Sequence, residues 1–388
     1  MKNFRKIAAV ALVIALVMSF AGCASAPVSL KPEWSYKTDT AEYPIGVYVY
    51  SLFSAYNQAY SVISEAKGED FDQEASILSV ESTFDETGET FVCSDWIVAE
   101  ADKITKNLIA IDQAVEEYGI ELDEALVDAA YEQARSDWYL GAYYEEYASY
   151  GYAATPYRDM LEPYGVSFDS FYQSSYLASV KQNALFEHFY AKGGIKEVSE
   201  AKMKEYFEDN YTSYSYFSAN LYETAIDETS GESVNKAFSD EQVYAIKDNL
   251  EMYTRMIDKG TSFEDISRAY TAYAQLENNP AISNIENLET SSLGAEVVEA
   301  LRGLKEGKAT VVTVGEADTA VAYLVCKHPI AKETKDYMAN ETNYDALLQG
   351  MKSEEFLQYV EGLTDTAQCE QNTEVVAKYD PAIFEDNL

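Results

Sequence analysis

Along the chain, stretches whose apolar residues recur every three or four positions give way to stretches in which they recur every two. Over 47–66, Tyr48, Leu52, Tyr56, Tyr60 and Ile63 fall on one side of a helix that opens just after Pro44-Ile45-Gly46. A second, longer helix is predicted over 94–118, with Ile97, Ala101, Ile104, Leu108, Ile111 and Val115 as its stripe, Ser94 as its cap and Gly119 as its left-handed stop. Asp123 caps a third, running to about Tyr147 with Leu126, Ala130, Ala134 and Trp138. A fourth starts near Ser167 and carries Phe168, Phe171, Leu177, Val180, Leu185 and Phe189. Val198-Ser199-Glu200 followed by Met203 has the staple and cap of a fifth, short helix. Between the first two helices, 77–80 and 90–92 are β-prone on either side of the turn-like Asp85-Glu86-Thr87-Gly88, which predicts a hairpin.

From about residue 212 the period changes. Residues 216–226 are β-prone, and 240–259 form an amphipathic helix through Val243, Ile246, Leu250 and Ile257, ended by Gly260. Ser262 caps a short helix with Phe263, Ile266 and Tyr270. Residues 295–304 form another, stopped by Gly307, and Val311-Val312 and 321–325 read as strands. The order β-α-α-α-β-β, with pairing between distant strands, describes a small α+β unit. After Pro329 the helical period returns over 342–363, through Leu347, Leu348, Met351, Phe356, Tyr359 and Val360.

Composition narrows the function. The 388 residues are 47% hydrophobic and 24% charged, a globular balance. Lys plus Arg number 28 against 67 Asp plus Glu, a formal charge of −39 that repels a phosphate backbone and excludes nucleic acid as a partner. With two histidines, His188 and His328, and four cysteines, the chain is poorly supplied for a zinc cage or a histidine-based triad, and no metal or other cofactor is implied. His328, just past the last predicted strand, reads as a surface residue. Asp70, Asp72, Glu74 and Glu81 mimic positions of a calcium loop, but Ala75 stands where its glycine is required, so the stretch reads as a solvated acidic loop. Cys93, Cys326 and Cys369, an odd set spread along the chain, do not make a disulfide framework and are expected as buried thiols.

Lys2, Arg5 and Lys6 precede the apolar run 7–18, too short for a bilayer-spanning helix and ordered like a secretion signal. The run closes on Phe20-Ala21-Gly22-Cys23, which resembles the lipobox of bacterial lipoproteins with Phe20 in place of the usual Leu. That resemblance implies removal of 1–22, lipidation of Cys23, a tether over 23–40 and a place on the extracytoplasmic face of the cell membrane. Ordinary secretion with Cys23 as a free thiol is the other reading.

Tyrosine is the anomaly, with 33 in the chain and a dense run at Tyr139, Tyr143, Tyr144, Tyr147, Tyr150, Tyr152 and Tyr157. Such rings offer wide contact at low rotamer cost, which suits a surface holding many unfolded sequences, with Tyr143, Tyr147, Tyr150 and Tyr152 as candidate contacts. The competing reading places them in the core and core rim of the helical part.

Four segments carry a family resemblance. Gly260-Thr261-Ser262-Phe263-Glu264-Asp265-Ile266 and Ala300-Leu301-Arg302-Gly303-Leu304-Lys305-Glu306-Gly307 are similar to parvulin motifs. Residues 198–207 before this unit and 355–360 after it are similar to the flanks of the same architecture. In that order they resemble extracytoplasmic foldases of the PrsA and SurA type, whose insert is a parvulin peptidyl-prolyl isomerase. The resemblance implies a mainly helical α+β fold: a SurA-like helical domain over 41–211, a parvulin-like insert over 212–330, and a C-terminal segment, 331–388, returning to the helical domain. It also locates the departures. Asn220, in Ser218-Ala219-Asn220-Leu221-Tyr222, stands where active parvulins carry their first histidine. Tyr273 stands at the Asp or Cys position, and Ala322 or Tyr323 at the second histidine. The glycine-rich element is reduced to Ser291-Ser292-Leu293-Gly294. Prolyl rotation crosses a barrier of about 20 kcal/mol, lowered by a shaped, hydrogen-bonded pocket. Without that polar set, the implied function is a lipid-anchored chaperone that binds unfolded exported polypeptides with little or no isomerase turnover. An active isomerase and a lipoprotein subunit of an envelope complex are the alternatives.

Overall fold

The structure, a computed structural model, describes residues 33–84, 88–226 and 231–387. The signal-like segment and Cys23 lie outside the described residues. The described residues form two compact units, one of those up to 197 together with those from 352 onward and one within 198–351, and the architecture is α+β with helices predominating.

The first unit is built round α1 (Ile45–Lys67). The expected stripe is buried, and so are Val47, Val49 and Tyr50 on other sides of the helix. A helix apolar all round belongs in an interior, and α1 lies against β1 (Trp34–Lys37) and β2 (Glu42–Pro44) as well as α2 (Cys93–Glu117). Each such fully buried large side chain contributes about 1.5–3 kcal/mol. The start of α2 departs from expectation, since Ser94 does not cap it. The hairpin β3 (Glu81–Ser82) and β4 (Phe91–Val92) runs straight into the helix, and the N–H groups of Cys93 and Ser94 donate to the carbonyls of Val80 and Leu78 at 2.8 and 3.0 Å. Backbone carbonyls thus meet donors that a side-chain cap would otherwise serve.

Asp123 does cap α3 (Glu124–Leu140), accepting from the Ala125 N–H at 2.8 Å, but that helix ends at Leu140 rather than near Tyr147. Gly141 breaks it at φ 92, where a Cβ would come within 2.6 Å of the Thr155 carbonyl. The short α4 (Tyr144–Ser149) and α5 (Tyr157–Leu161) follow. Ser167 caps α6 (Phe168–Phe171), which continues through a π-helical stretch, Tyr172–Leu177, into α7 (Ala178–Tyr190).

Three aspartates of α2 and α3 accept tyrosine hydroxyls at the margin of this core: Asp102 from Tyr36, Asp112 from Tyr43 at 3.0 Å and Asp137 from Tyr176. Lys181 of α7 pairs with Asp112 at 2.6 Å, and Gln133 donates to Asp137 at 2.9 Å. Burial raises Asp137 above the usual carboxylate range, against its two hydrogen bonds.

The second unit opens on α8 (Glu200–Asn210), capped by Ser199 as expected. It contains a four-stranded antiparallel sheet in the order β8-β5-β10-β9, from β5 (Tyr211–Asn220), β8 (Ile282–Asn287), β9 (Ala309–Val314) and β10 (Val321–His328). Two features were not expected. The stretch 216–226 is not one strand: β5 ends at Asn220, and β6 (Tyr222–Ile226) pairs instead with β7 (Ser233–Ala237). Strand β8 is a polar edge strand whose sequence, Ile282-Ser283-Asn284-Ile285-Glu286-Asn287, has little apolar alternation.

Helices α9 (Asp240–Asp258) and α10 (Phe263–Tyr273) cover one face of the sheet and α11 (Ala295–Gly303) the other. The unit is wider at both ends than 212–330. In α8, Phe207 stacks on Tyr337 of α12 (Thr334–Ala339) at 4.5 Å, and Glu208 accepts from Thr334 at 2.9 Å, so both flanking helices belong to it. The long helix α13 (Glu341–Thr366) then passes into the first unit, where β11 (Glu370–Gln371) joins β1 and α14 (Thr373–Val376) follows.

Candidate functional site

Strand alternation sorts the side chains of the second unit. On β5 and β10, Phe217, Ala219, Ala322, Leu324 and Cys326 face α9 and α10, in a cluster with Leu250, Ile257, Ile266 and Tyr270. Tyr214, Tyr216, Tyr323 and Val325 face α11, in a cluster with Val297 and Leu301. Asn220 has the parity of the α11 face, lies opposite Val321 at the end of β5, and is exposed. Tyr323 lies opposite Ser218 on that face and packs its ring 6.0 Å from Tyr216. Tyr273 is elsewhere: it ends α10, on the helix covering the opposite face, and is 56% exposed. No hydrogen bond joins the three to one another. Asn220, Tyr273 and Tyr323, expected from the resemblance to share one site, are therefore divided between the two sides of the sheet, and none of them is a histidine or an acid.

His328 corrects the expectation of a surface residue. It shares the parity of Ala322, Leu324 and Cys326, so its ring turns inward and is half-buried. Nε2 lies 2.7 Å from Oγ of Ser215, which is in turn 2.6 Å from Oγ of Ser283 across the β5–β8 pair. Nδ1 lies 4.0 Å from Sγ of Cys326, and the ring stands edge-on to Phe263. Burial pulls the imidazole below its ordinary range, Glu333 opposing and Lys332 adding to that effect. The same burial pushes the Cys326 thiol up to about 11, so it is protonated at neutral pH.

Ser215, Ser283 and His328 line a cavity of about 390 Å3 with Phe263, Glu264, Ser267, Asn279 and Ala281. On its far wall Asn279 donates to Ser267 at 3.0 Å. The signal was present in the sequence as period two, since Ser215 is in step with Phe217 and Ala219, and His328 with Leu324 and Cys326. What the sequence hid was the third partner, on a strand that its polarity disguised.

In the first unit the tyrosine run divides. Tyr143, Tyr150 and Tyr152 are exposed, at 56%, 71% and 70%, while Tyr147 is half-buried. Tyr139 and Tyr144 are exposed too, whereas Phe171, Phe186 and Phe189 belong to the interior. Tyr143 sits at φ 55, a left-handed conformation that is costly for a residue with a Cβ. Cys93, Cys326 and Cys369 are free thiols, the first two buried. No helix among the described residues is long and apolar enough to cross a membrane, and no cluster among them groups three metal-ligating side chains.

No protein-family profile matches the chain, and no curated protein does either. Among solved structures it is similar to a foldase protein PrsA from Streptococcus pneumoniae, at 15% identity and TM-score 0.34, over 76% of this chain and 96% of that one. It is also similar to a foldase protein PrsA from Lactococcus lactis, at 11% identity and TM-score 0.35, over 91% and 98%. A third likeness is to PrsA from Bacillus subtilis, at 14% identity and TM-score 0.24, over 90% and 99%. All three bear the name of a family that the sequence motifs resemble.

Proposed function

We propose that this chain is an extracytoplasmic chaperone of the foldase kind, anchored through lipid on Cys23, that holds unfolded exported polypeptides and has little or no prolyl isomerase activity. The observation that carries the reading is the exposed tyrosine run from the last turn of α3 to the segment before α5. Five rings within fourteen residues, Tyr139 to Tyr152, stand in solvent although the same unit buries many others. Large apolar rings with a wet hydroxyl give contact area without demanding one partner sequence. Without 1–22, which hold three basic and no acidic residues, 25 basic face 67 acidic residues, and the resulting charge of −42 keeps such a sticky surface from self-association. Weak isomerisation follows from Asn220, Tyr273 and Tyr323, which supply no histidine or acid and lie on two sides of the sheet.

The test is suppression of aggregation of a reduced, unfolded client at equimolar protein and without nucleotide. The chain is expected to suppress it, and a variant with Tyr143, Tyr150 and Tyr152 all changed to Ser to lose most of the effect while keeping its thermal unfolding midpoint. Absence of suppression by the natural chain overturns the reading. For the anchor, Cys23→Ala is expected to release the protein from the membrane fraction of the producing cells.

A further inference from the structure

We propose that Ser215 and His328 form a nucleophile and base pair that accepts the acyl group of small carboxylic esters, at a site separate from the positions a rotamase would use. The observation is geometric. Oγ of Ser215 and Nε2 of His328 are 2.7 Å apart, within reach for direct proton transfer, and both line the same cavity. With the ring proton on Nδ1, towards the Cys326 sulfur at 4.0 Å, Nε2 carries the lone pair that takes the serine proton. Sγ is the third group that orients the base. Ser283, 2.6 Å from the same Oγ, is a donor beside the attacking oxygen.

Phe263 and Glu264, also in the lining, are the first two residues of α10, where N–H groups have no intrahelical acceptor and carry the positive end of the helix dipole. Such donors are the kind that steady the negative oxygen of a tetrahedral intermediate. About 390 Å3 lies at the lower end of ligand pockets, which restricts the substrate to a short acyl chain on a small alcohol. The Phe263 ring supplies an apolar side for that chain.

The reaction balances with water alone. Oγ of Ser215 bonds to the carbonyl carbon as its proton passes to Nε2 of His328. The carbon–oxygen bond to the alcohol then breaks, and the alcohol leaves with that proton. Water, deprotonated by the same nitrogen, attacks the acyl-serine, releases the acid and restores the hydroxyl.

The whole chain is incubated with a fluorescent alkyl fluorophosphonate, and the adduct is mapped by peptide mass spectrometry. One adduct, on Ser215, is expected. It is lost in Ser215→Ala, forms at least about a hundredfold more slowly in His328→Gln, and is unchanged in Asn220→Ala. Acetylation by p-nitrophenyl acetate, read as a mass gain on the peptide holding Ser215, is measured on the natural chain and so needs no variant to fold. Failure of both reagents to modify Ser215 overturns the proposal, as does labelling of His328→Gln at the natural rate. Aggregation suppression in Ser215→Ala is expected to stay at the natural level, so this site and the chaperone reading fail separately.

Discussion

The two faces of the four-stranded sheet come from the same strands, residue by alternate residue, yet they differ in kind. Under α11 the strands present Tyr214, Tyr216 and Tyr323, with Asn220 exposed at the strand end. Under α9 and α10 they present Phe217, Leu324 and Cys326, and then Ser215 and His328 at the other end of the same pair of strands. One face has tyrosine hydroxyls, one of them donating to Glu286, and the other has an imidazole in contact with a serine. A one-residue change of register would exchange these sets. Matching a motif by its place in the chain therefore misses chemistry that pleating sends to the other side.

The contrast can be tested by substitution. The largest effect belongs to Phe217→Ala: the ring is fully buried and stacks 4.5 Å from Tyr270, and its loss is expected to cost about 3–5 kcal/mol in urea unfolding of the second unit. On the α11 face, Tyr214→Phe removes only the hydroxyl that donates to Glu286 at 2.6 Å. Glu286 keeps Ser291 as a donor at 2.6 Å, so about 1–2 kcal/mol is expected in the same measurement. Equal losses from the two changes would erase the distinction between a position held by packing and one held by a hydrogen bond.

A smaller effect concerns pH. Burial holds the folded imidazole of His328 below its ordinary value of 6.5, so the unfolded chain binds the proton more readily. Stability from this group is complete above 6.5 and is lost as pH falls through that value towards the folded one. In His328→Gln the decline over that window is expected to be shallower, read from unfolding midpoints at several pH values. The smallest expected effect is none: Asn220→His combined with Tyr273→Asp should leave prolyl isomerisation at the uncatalysed rate in a protease-coupled peptide assay, because α10 and the Asn220 side of β5 lie on opposite faces. Turnover by that double variant would show that the two positions do cooperate.

Much of the fold was legible because local chemistry repeats. Asp123, Ser167, Ser199 and Ser262 cap helices where hydroxyl or carboxylate precedes an apolar period, and Gly260 follows the end of α9 at φ 105. Ser94 failed as a cap because strand carbonyls, set by a tertiary hairpin, reached its helix first. β8 went unread since an edge strand paired through its backbone needs no apolar alternation, and Ser283 on it completes the cluster round His328. Of the proposed contacts, the tyrosines were legible as a run but not as a surface. Gly141 decides that, by ending α3 and turning 143–152 outwards in short pieces.

β1 pairs with β11, with Tyr36 opposite Gln371, and Asn372 donates to the carbonyl of Ser35 at 2.8 Å. β1 pairs with the nearby β2 on its other edge, so in a polypeptide threaded amino end first through a narrow channel only the edge that takes β11 stays open until nearly the whole length has emerged. The second unit, continuous over 198–351, has no such delay and can close earlier. Closure of the first unit's sheet therefore needs residues from both ends of the chain, whereas closure of the second needs none outside 198–351.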